Sequence, residues 1–329
     1  MLSLITFALM SSAHAADKIS IDGSSTVFPI TEAVAEEFQN SKKGAVQVTV
    51  GISGTGGGFK KFCRGETDIQ DASRPIQKAS KPGESGEMET CKAAGIKYFE
   101  VPVGFDAMAI VVNNSNTFLK QVTVAELKKM WEPAAQGKVM KWKDVNPAWP
   151  DLPLKLYGAG ADSGTFDYFT EAIVGKAKSS RGDYTASEDD NVLVKGVSSD
   201  KGALGFIPFA YYEPNKSSLK IVPVISPAKK AVIPSRETVE NGTYAPLSRP
   251  IFIYVNDKSY QRAEVKEFVE FYLKNASKLV AEVKYVPLPA EAYKLGLEHV
   301  KAGKLGTAFG GHSEVGMKIN DLMKKEKRL

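Results

Sequence analysis

Histidine is scarce in this chain: three in 329 residues, His14, His299 and His312. The first lies in an apolar leader, and neither of the others has metal-ligand spacing or an obvious nucleophile partner. Hydrolytic chemistry and a metal centre therefore have little to draw on. Nucleotide-binding loops are missing too. No Gly-Lys-Ser/Thr closes the glycine-rich loop at 51–60, and the last glycine of a GxGxxG would fall at Phe59. No serine sits in GxSxG. Long apolar runs are absent apart from Leu2–Met10, and about nine residues is too short to span a bilayer, which takes about twenty. Excess charge is also lacking. A net +5 is modest and dispersed, so no nucleic-acid partner is expected. Binding without turnover, with no cofactor and no metal, is the function class that remains.

What is present begins with a leader. The apolar run is followed by "AHA" and a charged segment, which predicts a signal peptide over 1–15, cleaved after Ala15. The exported protein would then be soluble and periplasmic, and no lipobox-like cysteine argues for an anchor. Two cysteines remain, Cys63 and Cys91. In an oxidising compartment they read as one disulfide bracing the segment that carries Arg74, two free thiols or a metal pair being the alternative.

The length suggests two domains. Strand signals alternate with helical periodicity, which predicts an α/β architecture with mostly parallel central sheets flanked by helices. Val27, Ile30, Val34 and Phe38 recur at helical spacing, as do Val265, Phe268, Val269, Tyr272 and Leu273. Thr123 with Glu126 forms a capping box ahead of "VAELKKMW". Two β-rich runs, "YFEVPVGFDAMAIVVNN" and "APLSRPIFIYVN", read as crossings between domains. They place one lobe at 16–107 and 251–329, and the other at 108–250.

Three turns lead from a strand into a helix and carry hydroxyls: "GSST" at 23–26, "SGTGG" at 53–57 and "DSGT" at 162–165. A helix N-terminus offers unpaired N–H groups and partial positive charge, so it attracts anions. In α/β sheets such turns share the edge where ligands bind. One such turn alone is equally well a helix cap; three in one chain point to an anion. Arg74, at a strand end before proline, is the expected counter-charge, a surface ion pair being its plainer use. Arg181 in "SSRGDYTASEDD" is a second candidate that could equally serve neighbouring carboxylates.

The ordered set "DGSSTVFPITEAVAEEF", "GISGTGGGFKKFCRGETDI", "DASRPI", "GADSGTFDYFTEAI", "YTASEDDNVLVKGV" and "GALGFIPFAYY" resembles the periplasmic phosphate-binding protein of phosphate ABC transporters, in its PstS-like or SphX-like form. The match runs over nearly the whole mature chain. The resemblance implies a two-lobed periplasmic binding fold of type II that closes by a hinge over one inorganic phosphate and delivers it to permease subunits. It also implies a monomer, made under phosphate starvation. Carried over by position, phosphate ligands fall on Ser24, Ser25, Thr26, Ser53, Gly54, Thr55, Ser163, Gly164 and Thr165. The best-studied branch has an aspartate where this chain has Arg74, and an arginine where it has Ala159. That aspartate accepts the ligand's proton, so Asp71 or Asp162 is the expected substitute here. Another tetrahedral oxyanion such as sulfate is the nearest alternative ligand, and an exported phosphoesterase or accessory protein the alternative class.

Overall fold

The computed structural model describes residues 17–79, 81, 83–225 and 229–329; the expected signal peptide and its cleavage site lie outside them. The chain opens with β1 (Asp17–Gly23), α1 (Phe28–Ser41), β2 (Val46–Ile52) and α2 (Gly54–Phe62), followed by β3 (Ile69–Ala72), α3 (Glu87–Ala93) and β4 (Tyr98–Asn113). Alternation drives β1, whose Ile19 and Ile21 are buried. Val27, the residue before α1, is buried with Ile30, Val34 and Phe38 of the helix, and the Phe38 ring stands 5.3 Å from Phe268. That phenylalanine belongs to the helix Ala263–Glu282, whose predicted apolar face is buried as expected. The capping box at Thr123 likewise starts the helix Val124–Trp131.

Glycine makes α2 a poor helix on propensity alone. Its value is close approach: a Cβ at Gly58 would fall 2.6 Å from the Gly23 Cα and 2.0 Å from Gln70 Oε1. The bare helix therefore lies directly on the end of β1, where an alanine could not. Cys63, immediately after α2, is bonded to Cys91 in α3, and both are buried.

One nine-stranded sheet runs through the molecule, in the order β2, β1, β3, Ser248–Asn256, β4, Ala203–Pro208, Lys155–Ala159, Thr185–Ser187, with Leu219–Ile221 also pairing with β4. Pairing is parallel in the first flank, where β1 joins β2 and β3, and in the second flank, where Lys155–Ala159 joins both its neighbours. The centre is antiparallel, because the chain crosses once in each direction. Residues 98–107 of β4 pair with the returning strand Ser248–Asn256, and residues 108–112 pair with Ala203–Pro208. Every residue of β4 and of the returning strand is buried.

Candidate anion-binding site

The three turns expected from sequence all form, and their side chains divide by task. In the first, the Ser24 N–H donates to the Asp71 carbonyl at 2.9 Å, and its hydroxyl accepts from the Thr26 N–H. Ser24 thus shapes the turn. The Ser25 hydroxyl donates to Asp190 at 2.8 Å, in the second flank, while its carbonyl accepts from the Tyr211 hydroxyl. Thr26 faces the third turn, its Oγ1 2.9 Å from Thr165 Oγ1.

In the second turn, Ser53 gives its hydroxyl to Asp22, away from the others. Thr55 instead lies 3.1 Å from the Ser73 hydroxyl and accepts from the Ser73 N–H. In the third turn Ser163 caps the helix Gly164–Phe169 by accepting from the Thr165 N–H. That helix runs on into a π-helical turn at Thr170–Val174. A Cβ at Gly164 would stand 2.6 Å from Ser73 Oγ and 2.7 Å from Thr55 Oγ1, so the bare backbone of the third turn rests on the second. Thr26, Thr55, Ser73, Gly164 and Thr165 therefore converge in a buried group that draws on both flanks.

A guanidinium completes this group, and it belongs to Arg249. Its Nη1 donates to the Gly164 carbonyl at 2.7 Å and its Nη2 to Thr165 Oγ1 at 2.7 Å. Nε and Nη2 also reach Asp106 Oδ2 at 3.2 and 3.1 Å. Asp106 and Arg249 are register partners on β4 and the returning strand, so sheet pairing alone delivers the ion pair. Among the described residues, Asp106 Oδ1 is buried without a partner. Burial raises the Asp106 carboxyl, while Arg249 opposes the shift. Burial also pushes Asp190 up to about 7, against the hydrogen bond from Ser25.

Comparison with known proteins fits this geometry. A family model described as PBP superfamily domain matches residues 10–276. Protein SphX of Synechococcus elongatus is 54% identical over 308 residues, 94% of this chain and 88% of that one. The phosphate-binding protein PstS of Staphylococcus epidermidis is 38% identical over 283 residues, 85% of this chain and 82% of that one. The chain belongs to the SphX and PstS family. Among solved structures, one described as a possible phosphate binding protein, from Planctomyces limnophilus, is 48% identical. It aligns with a TM-score of 0.62 over 88% of this chain and 100% of that one. A Clostridium perfringens structure with bound phosphate, described as a phosphate ABC transporter substrate-binding protein, is 26% identical. Its TM-score is 0.67, covering 83% of this chain and 100% of that one.

The SphX and PstS fold thus gathers part of the expected set and disperses the rest. Thr26, Thr55, Gly164 and Thr165 meet. Gly54 takes a positive φ of 74° at the start of α2, while Ser24, Ser53 and Ser163 serve the turns themselves. Arg181 is placed apart from them: its guanidinium donates to Asp183 and to the carbonyls of Met130 and Val139, and none of these bonds reaches the three turns. Neither expected proton acceptor turns its carboxyl to the group. Asp71 accepts from Thr31, close to Tyr272, on the far side of the first turn. Asp162 pairs with the exposed Lys60 and offers only its carbonyl, to the Gly56 N–H at 2.7 Å. Arg74 lies beside the group, its Cγ 3.1 Å from a Cβ built on Gly164, but its guanidinium turns to Asp167 and Glu87. Sequence reasoning missed Arg249, Asp106, Ser73 and Asp190. A signal for the first two was available, since each is a charge inside an apolar crossing strand that must find a partner there.

Proposed function

We propose that this chain is an exported solute-binding protein that captures inorganic phosphate between its two lobes and passes it to the permease of an ABC transporter. The observation that carries the reading is the burial of the Thr26, Thr55 and Thr165 hydroxyls in one group beside the Arg249 guanidinium, which reaches Thr165 Oγ1 and the Gly164 carbonyl at 2.7 Å and Thr26 Oγ1 at 3.5 Å. These donors replace the ion's hydration shell, and each charge-assisted bond contributes about 1.5–3 kcal/mol. A handful of them, less the cost of closing, supports micromolar or tighter affinity. The unpartnered Asp106 oxygen and the nearby Asp190 favour a ligand that carries a proton, which hydrogen phosphate does and sulfate does not. They take the acceptor role that sequence reading gave to Asp71 or Asp162.

The lobe boundaries read from sequence, 16–107 with 251–329 against 108–250, are supported by the change of β4's partner between Ala107 and Met108. The two crossing strands then form the hinge. The mature protein acts in the periplasm as a monomer that binds without turnover. Calorimetric titration of residues 16–329 with phosphate and with sulfate, after removal of bound ligand, tests the reading. Tight phosphate binding with sulfate ignored is expected; equal binding of both would keep the oxyanion site and discard the specificity.

A further inference from the structure

Arg74 has chemistry that the anion reading leaves unused. Its Nε donates to Asp167 Oδ2 at 2.7 Å. Nη1 and Nη2 grip the two Glu87 oxygens, each at 2.8 Å, and Nη1 also reaches the Pro75 carbonyl. Four of the five guanidinium N–H groups are thereby engaged. Burial by itself would lower the guanidinium's proton affinity, but Glu87 and Asp167 together outweigh it and hold the charge in place.

The three residues come from three places in the fold. Arg74 follows β3 in the first flank. Glu87 opens α3, which the Cys63–Cys91 bond ties to the end of α2, and its Oε2 also accepts from the Gln77 N–H at 3.0 Å. Asp167 lies in the second flank, on the third-turn helix, two residues after Thr165. Glu87 therefore holds the guanidinium within the first flank, and Asp167 is what the guanidinium reaches in the second.

Two ion pairs among the described residues join the first flank to the third-turn segment. Lys60–Asp162 is exposed on both sides, and such pairs contribute little. Arg74–Asp167 is 1% and 2% exposed. When one partner of a buried pair withdraws, an uncompensated charge remains, so a pair of this kind strongly favours the arrangement that holds it together. Asp167 also has its Oδ1 buried without a partner among the described residues, which makes it depend on Arg74 the more. Two carboxylates around one guanidinium sum to a negative charge, a poor environment for a dianion. Arg249 contrasts with it, since it spends two of its contacts on neutral acceptors within the turns.

We propose that Arg74, Glu87 and Asp167 form the latch of the cleft: Arg74 is a positioning residue that draws the third-turn helix closed through Asp167, and it does not serve as a ligand of the anion. The proposal replaces the sequence expectation for Arg74. It rests on the two-lobed hinge of the proposed function, and on phosphate only for the choice of probe.

The test compares Arg74→Met, the isosteric Asp167→Asn and the double variant by stopped-flow phosphate binding and by small-angle scattering without ligand. Either single change should raise the phosphate dissociation rate about tenfold, with association little altered. Each should also enlarge the ligand-free radius of gyration, and the double variant should be no worse than either single one. A ligand role for Arg74 predicts the opposite pattern. Arg74→Met would then abolish binding, and Asp167→Asn, by removing a competing carboxylate, would leave affinity unchanged or tighter; either result overturns the latch. If the unaltered protein binds no phosphate, the functional reading fails, yet the scattering comparison of Asp167→Asn with wild type still decides the latch. An unchanged radius refutes it. Should Arg74→Met fail to fold, the Asp167→Asn rates and radius carry the same decision.

Discussion

Thr26 and Thr165 are 139 residues apart in the chain, yet their hydroxyl oxygens stand 2.9 Å from each other. The first turn and the third turn meet through this pair, one from each flank of the sheet. Thr165→Val keeps the side-chain shape and removes the hydroxyl. Losing one charge-assisted bond should raise the phosphate dissociation constant about 10- to 100-fold, and stability should fall by about 1–3 kcal/mol because a buried Arg249 N–H loses its acceptor. Calorimetry reads the constant, and an unchanged value would remove Thr165 from the site.

Arg249 and Asp106 compensate each other inside the sheet, both essentially without exposure. Arg249→Met leaves the Asp106 carboxyl buried and alone, and should cost roughly 3–5 kcal/mol in urea denaturation. Adding Asp106→Leu should recover most of that stability, since a buried pair is commonly replaceable by apolar side chains. Phosphate binding should stay lost in the double variant. Recovery of binding along with stability would assign Arg249 a purely structural task.

Asp190 gives stability a pH dependence of definite sign. Its carboxyl is pushed up to about 7 by burial, so the folded state holds its proton more tightly than the unfolded state does. Stability falls as pH climbs from about 4, the unfolded value, to about 7, and stays lowered above that. Asp190→Asn removes the ionisation and can still accept from Ser25. Thermal melts should show the variant about 5 °C more stable than wild type at pH 8, with the difference vanishing near pH 4. A constant difference at every pH would show that Asp190 does not titrate in this range.

The Cys63–Cys91 bond closes a loop of sequence separation 28. Replacing both cysteines by alanine should lower stability by ~3 kcal/mol on the chain-entropy account. A reductant added to the unaltered protein should reproduce the shift in a denaturant titration. No shift under either treatment would mean that packing alone holds α3 in place.

Local pattern made much of this molecule legible. Helical spacing in α1 and in Ala263–Glu282, the capping box at Thr123 and the three hydroxyl turns are each written within a dozen or so neighbouring residues. The direction in which a side chain points is a different matter. Ser53 and Thr55 look alike in "SGTGG", but Ser53 meets Asp22 and Thr55 meets Ser73, because Ser53 stands before α2 and Thr55 in its first turn. Arg74 looked available because Glu87 and Asp167, which claim it, are 13 and 93 residues away. Arg249 was overlooked for the converse reason. Its place in an apolar strand suggested structure, and only strand register brings it opposite Asp106 and beside the third turn.

The described chain begins with β1 and ends with the helix Ile319–Glu326, which packs on the neighbouring helix Ala290–Lys301. There Tyr293 donates to the Val103 carbonyl, in the part of β4 that pairs with Ser248–Asn256. These two elements, the first and last among the described residues, are therefore anchored on the same side of the crossing. Tension applied between them would travel through β1, its sheet neighbours and the terminal helices. The second flank, entered by β4 and left by the adjacent returning strand, would be bypassed until its host gave way. The segment that carries Thr165 is a mechanically sheltered insert, entered and left through two neighbouring strands, and a pull between β1 and the last helix does not pass through it.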